Sequence, residues 1–276
     1  MKLTVCFKHV FMAGIIAIIG FLLSFSVADA YTLSTARVQY RNHTSPGSHT
    51  RVYFMFKDES DNYVNPNVSD VRITYTGNEI ETGSLWGAWI NETASGNYNE
   101  NTGQWEFISS SRTYYYMRVG IAPSSDFADA DAPAGTYSLS IDTDDGTYTR
   151  DLSFNGKQEL PAIDSTSFQS SYKSGDLTIS WTLPHQSQFP SNAKLSLYID
   201  GDDNWVDYEV FTMPTTINSI TIPQETLELI GKPRVYNVTM RTEITDSSSS
   251  NRFYSDTVTI IRPQLPVAIP SLLLDK

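Results

Sequence analysis

The chain has 276 residues, with 19 basic and 31 acidic side chains and a formal net charge of −12. A field of that sign disfavours nucleic acid and anionic lipid surfaces as partners. Hydrophobic residues at 40% and aromatic residues at 12% are ample for packed cores, which excludes intrinsic disorder.

The first thirty residues read as a signal peptide. Lys2 and Lys8 give a basic start, and VFMAGIIAIIGFLLSFSV is a long apolar run that closes on ADA. Small residues at −3 and −1 suit cleavage after Ala30. An uncleaved anchor is the alternative, because the run approaches the ~20 residues that span a bilayer. Nothing later is apolar for long enough, so the mature chain is expected to have no transmembrane span. Cys6 is the single cysteine, so a chain starting at Tyr31 has none. Secreted eukaryotic domains are usually stapled by disulfides, so this pattern reads as bacterial. The expected location is secreted, periplasmic or cell surface.

From Tyr31 onward the periodicity is two. Val71, Ile73 and Tyr75 alternate with Arg72 and Thr74, and Leu177, Ile179, Trp181 and Leu183 alternate with Thr178, Ser180 and Thr182. Such alternation puts one face of a strand on a core and the other in water. Further strands are expected at 33–41, 50–57, 103–109, 112–121, 135–142, 146–154, 193–200, 206–212, 217–222, 234–243 and 253–261. SPG, NPN, GNYNENTG, DDG, GDDN and SSSS read as turns between them, and only 224–231 has room for a helical turn or two. Many short strands without intervening helices predict an all-β chain of two tandem antiparallel β-sandwiches. Residues 31–158 form the first, immunoglobulin-like, and FNGKQELPAID carries the boundary. Residues 159–262 form the second, and 263–276 are a Pro-rich apolar tail.

In the first sandwich, Asp142, Asp144, Asp145 and Asp151 crowd the stretch SLSIDTDDGTYTRDLSF. A helix–loop–helix calcium site needs a central glycine and a closing Glu at fixed positions. Here Gly146 comes one residue early and the closing Glu is absent. Asp-Gly between two strands is a tight-hairpin signal, so the stretch reads as a turn. His43 and His49 flank TSPGS and can face each other across a hairpin, but a zinc site wants further ligands. Trp86, Trp89, Tyr98 and Trp105 stand in a Gly/Asn-rich setting. Tyr114, Tyr115 and Tyr116 follow in a row, so a strand through them shows aromatics on both faces.

In the second sandwich, LTISWTLP (177–184) resembles the second strand of fibronectin type III modules, with its alternating tryptophan and following proline. Residues 220–243 resemble the turn and strand that carry that family's Tyr-x-Val-x-Val pattern, with Tyr236, Val238 and Met240 in those places. SDTVTI (255–260) is then the closing strand. The third strand, AKLSLYID, lacks the family's aromatic pattern. The resemblance implies an adhesion or spacer module and no catalytic residues. Asp200, Asp202, Asp203 and Asp207 surround Gly201 in a loop, which leaves calcium there as a secondary reading.

Taken together, the sequence predicts a secreted, non-enzymatic module for adhesion, envelope architecture or protein interaction. The alternative is a carbohydrate-binding protein that stacks sugar rings on Trp86, Trp89, Tyr98 and Trp105. A hydrolase with an unrecognised site is a distant third. No catalytic residue, cofactor or primary metal site is assigned. The expected partners are a protein or envelope component docked on the tail, or a polysaccharide.

Overall fold

A computed structural model describes residues 31–43, 47–92, 94–108, 112–127, 132–200, 209–229 and 235–261. The first half contains β1 (Thr32–Asn42), β2 (His49–Lys57), β3 (Tyr63–Val64), β4 (Val68–Tyr75), β5 (Asn78–Glu79), β6 (Trp86–Glu92), β7 (Ser95–Asn99), β8 (Gln104–Ile108), β9 (Arg112–Ala122), β10 (Gly135–Thr143) and β11 (Gly146–Phe154). The second contains β12 (Gln169–Lys173), β13 (Asp176–Ser180), β14 (Lys194–Asp200), β15 (Glu209–Pro214), β16 (Ser219–Ile222), α1 (Gln224–Leu229), β17 (Val235–Thr245), β18 (Ser249–Tyr254) and β19 (Val258–Ile261).

Both halves are β-sandwiches. In the first, the sheet β11-β10-β4-β5 packs on β1, β2 and β9. Val38, Tyr40, Val52, Phe54 and Phe56 meet Ile73, Tyr137, Leu139, Ile141 and Leu152 in its core. In the second, the sheet β12-β13-β16 faces β15-β14-β17, with β18 and β19 on the far edge of β17. Three strands facing β15, β14, β17 and an edge made of β18 and β19 in succession, in that order of connection, make a fibronectin type III-like sandwich. Its core holds Leu177, Ile179, Trp181, Leu197, Phe211, Tyr236 and Met240.

Two local expectations are corrected, and a third, the acidic turn, holds. The single strand expected over 253–261 is two strands, β18 and β19. Ser255 separates them because its backbone N–H donates to Met240 O at 2.8 Å and its Oγ accepts from Met240 N at 3.0 Å. GNYNENTG is not all turn: β7 extends to Asn99, and the Asn99 side chain accepts from the backbone of Asn101 and Thr102 to close the bend. In the acidic hairpin the two loop residues are Asp144 and Asp145, since Thr143 pairs with Gly146. Gly146 has φ +141°, a conformation that excludes most side chains. Asp142 meets Arg72 at 2.7 Å and accepts from Thr147, while Asp145 accepts from Tyr148 and from the backbone of Tyr31.

The two sandwiches share one sheet. β1 runs parallel to β18 over Val38–Asn42 and Ser249–Phe253. β6 and β7 form one arm of a long hairpin and β8 and β9 the other; two residues separate the strands in one arm and three in the other. At its base this ribbon pairs with β2 through β9, and near its tip it pairs with β15 through β7. The ladder β2-β1-β18-β17-β14-β15 is therefore closed into a ring by the ribbon.

Closure explains an unusual burial pattern. An antiparallel sandwich ordinarily leaves one face of each sheet in water. Here consecutive residues Val38, Gln39 and Tyr40 are all fully buried, and Arg51, Val52, Tyr53 and Phe54 are all buried as well. One face of these strands lies on a hydrophobic core and the other lines the ring, as interior side chains do in small barrels.

Gly96 sits where the ribbon lands. A β-carbon there would lie 2.8 Å from Phe211 and 3.4 Å from Phe107. Gly96→Val is therefore expected to cost about 1–3 kcal/mol by overpacking. Hydrogen exchange should show residues 95–108 losing protection while β12, β13 and β16 keep theirs. Unchanged protection over β7 would mean that the ribbon does not pack on β15.

Candidate functional site

The structure disperses the four aromatics singled out in the sequence. Trp86 and Trp89 are each 43% exposed on β6, but they are three residues apart and stand on opposite faces of the ribbon. Trp86 packs edge-on against Tyr116 under the Arg118 guanidinium, and Trp89 packs against Tyr115. Tyr98 and Trp105 pair with each other at the ribbon tip, where Trp105 stacks along Phe107 and Phe107 meets Phe211. They extend the core of the second sandwich. The four do not form one flat platform.

Beside β6 lies a cleft of about 400 Å³, lined by Asn65, Pro66, Asn67, Val68, Leu85, Gly87, Tyr115 and Met117. Leu85 is 40% exposed at its rim. Among the described residues β6 has β9 as its strand partner and no second strand on its outer edge, which lies next to the exposed apolar side chains of Leu85, Trp86 and Trp89.

Inside the ring the character changes. The inward positions of neighbouring strands carry Arg37, Gln39 and Arg41 on β1, Arg51 and Tyr53 on β2, and Ser250, Arg252 and Tyr254 on β18. Arg241 and Glu243 follow on β17, and Ser196 and Tyr198 on β14. Arg51 is 5% exposed; its Nε donates to Gln39 at 2.9 Å, and Gln39 donates to Ser250 at 3.2 Å. Arg241 and Arg252 contact opposite oxygens of Glu243 at 2.7 and 3.2 Å, and Ser196 donates to it at 3.0 Å. Arg241 lies over the Tyr198 ring and Arg41 over the Tyr254 ring. Among the described residues, neither Arg41 nor Arg51 has a carboxylate within ion-pair distance.

The imbalance sets the protonation of its neighbours. Burial first, and then Arg41, the His49 ring and Arg51, push His43 down to about 3. Burial, Arg41, Arg51 and Arg118 push His49 down to about 4. Burial alone would raise the Tyr254 hydroxyl, but Arg41, Arg241, Arg252 and Arg51 outweigh it and bring it down to about 7. His43 and His49 do face each other, with parallel rings 6.0 Å apart, and His43 stacks on Tyr254 at 4.1 Å. Both rings are neutral at pH 7 and offset none of the excess charge.

No group of three or more metal-ligating side chains comes together among the described residues. Asp202, Asp203 and Asp207 lie outside those residues, as do residues 1–30 and the tail 263–276. No described helix is long and apolar enough to cross a membrane.

Sequence reasoning missed the arginines because it assigned the polar face of every strand to water. A signal was present. Arg51-x-Tyr53, Tyr116-x-Arg118 and Arg252-x-Tyr254 set an arginine beside a tyrosine on the same face of three different strands. Such a pairing makes a charged face that tolerates burial.

The strand pairing defines an all-β chain of sandwich modules. No family model matches the sequence, and no curated protein matches it. Among solved structures, the chain is similar to the FN1–FN3 domains of chicken CNTN1, a contactin, at 10% identity and a TM-score of 0.30. That likeness covers 82% of this chain and 66% of the other, just under two thirds of its length. A two-domain fibronectin type III segment of chicken tenascin is similar at 11% identity and a TM-score of 0.27, over 85% of this chain and 97% of that one. The fold rests on the pairing described above and not on these likenesses.

Proposed function

We propose that the protein is an exported, non-enzymatic binding module of the cell surface or envelope, and that it holds an extended segment of a partner protein along the outer edge of β6. The observation that carries this reading is the combination of a strand edge that has no second strand on it among the described residues with Leu85, Trp86 and Trp89 exposed beside it. Exposed apolar edges are templates for strand addition, in which backbone hydrogen bonds give affinity and flanking side chains give selectivity. The cleft next to Leu85 offers a seat for one partner side chain. The reading of residues 1–30 as a cleaved signal peptide supports the exported location.

A photo-crosslinking amino acid at position 89, exposed to envelope extract, is expected to form an adduct that protease digests. Hydrogen exchange in the same extract should show protection gained over residues 84–92. Trp89→Ala with Leu85→Ser should abolish that protection. The melting temperature should barely move, because exposed surface substitutions are usually worth within ~0.5 kcal/mol. A protease-resistant, glycosidase-sensitive adduct would replace this reading with the carbohydrate one, and no adduct at all would remove both.

A further inference from the structure

The ring interior goes beyond the β6 edge and stands on separate observations. Arg37, Arg41, Arg51, Arg241 and Arg252 share one face; Glu243 pairs there with Arg241 and Arg252, and the register sets Asp200 on the same face at the end of β14. Arg41 and Arg252 are direct partners on the parallel strands β1 and β18, a like-charge juxtaposition that destabilises a sheet. Arg241 is 7% exposed and its Nε is buried without a hydrogen-bond acceptor; the Nε of Arg41 is buried in the same condition. A protein retains buried cations when they are paired; Glu243 answers Arg241 and Arg252, and the lowered Tyr254 hydroxyl beside Arg41 meets the excess only in part, so this arrangement is still short of anionic partners. The shortage cannot come from composition, because the chain carries an excess of acids.

One end of this face is partly open to solvent. Arg41, His43 and His49 are each partly exposed at one end of the ring, while Gln39, Arg51 and Ser250 are closed off deeper in. The neutral imidazoles bounding that end repel no anion, and each can donate one N–H.

We infer that the ring interior is an oxyanion-binding site, in which Arg41 and Arg51 take one carboxylate, sulfate or phosphate group that enters past His43 and His49. Guanidinium forks suit all three groups, since each offers two oxygens to parallel N–H donors. Arg241 and Arg252 are held by Glu243 and shape the potential from the far side. The entering group supplies the charge that Arg41 and Arg51 lack.

The test is a titration of the full chain at pH 7 with sodium sulfate, sodium phosphate or sodium acetate. Each is balanced against sodium chloride at equal ionic strength, and the readouts are melting temperature and calorimetry. At least one of the three is expected to raise the melting temperature by a few degrees in a saturable way; which one does so separates tetrahedral from planar groups. Arg51→Gln and Arg41→Gln should each abolish the rise, and Arg51→Gln should melt no lower than the parent without added anion, because it removes an unpaired buried charge. Arg72→Gln, which alters an arginine paired with Asp70 and Asp142 on the outer sheet, should keep the full rise. If Arg51→Gln fails to fold, the partly exposed Arg41 supplies the same comparison. The inference is overturned if no oxyanion exceeds chloride, or if the rise survives both substitutions. Neither result bears on the edge of β6, whose test reads protection over 84–92.

Discussion

The Glu243→Gln variant is expected to unfold about 3–5 kcal/mol more easily than the parent, the usual consequence of stranding buried charges by removing their partner. Glutamine keeps the shape of the side chain, so the loss reports charge. Arg241 and Arg252 would both remain, and Ser196 would keep an acceptor. The same pair predicts an acid profile. Burial alone would raise the Glu243 carboxyl, but Arg241 and Arg252 outweigh it and hold it at about 2, against an ordinary 4.5. A carboxyl depressed on folding contributes stability that is complete above 4.5 and is lost as the pH falls toward 2; the amount is about 3 kcal/mol. His43 and His49 act earlier. Their folded values lie below the ordinary 6.5, so the unfolded chain takes up protons first and stability declines as the pH drops below 6.5. Urea midpoints at pH 7, 5.5 and 3 separate the two steps. The parent should show both, and the variant only the one that begins below 6.5. A variant as stable as the parent at pH 7 would mean that the two arginines are not confined as described.

Trp181→Ala is the second large effect. The indole is 4% exposed in the second sandwich, with Phe168 at 6.2 Å, and its backbone N–H donates to Asn218 O at 3.0 Å just past the end of β13. Truncating a large core aromatic costs about 3–5 kcal/mol, through lost burial and the cavity left behind. Trp181→Phe should be milder, since the indole N–H it removes is buried without an acceptor. Chemical denaturation of the three proteins checks the order. An alanine variant that unfolds at the parental midpoint would place Trp181 outside the core.

Local rules made the strands legible and left their long-range pairing hidden. Alternation located β1, β2, β9, β10, β11 and β14 to within a residue or two, because each presents a continuous apolar face to a core. It missed β6 and β7, whose residues include Gly87, Gly96 and several asparagines. Those glycines are there for close packing against Tyr115 and Phe211, a tertiary demand with no local signature. Alternation alone makes 253–261 one unbroken strand, because nothing local shows that Ser255 will turn its hydroxyl onto Met240. Trp86 and Trp89 are both exposed, yet their separation of three residues forbids a common face on a strand. The arginines were legible as polar positions only. That their face would be covered depends on the ribbon reaching β15, a contact between residues more than a hundred positions apart.

The pairing of β1 with β18 bears on how the molecule would respond to pulling. The two strands lie side by side and point the same way, joined over five consecutive register pairs. Tension applied between the beginning of β1 and the end of β18 would draw them past each other along their length. All the hydrogen bonds of that ladder would then be loaded together in shear, instead of opening one at a time as in a peeled hairpin. The interlocked side chains of Tyr40 and Phe253, 5.7 Å apart, add steric resistance to the same sliding. Under traction the chain would thus carry its mechanical clamp at the seam between its two halves, where the earliest and one of the latest strands meet.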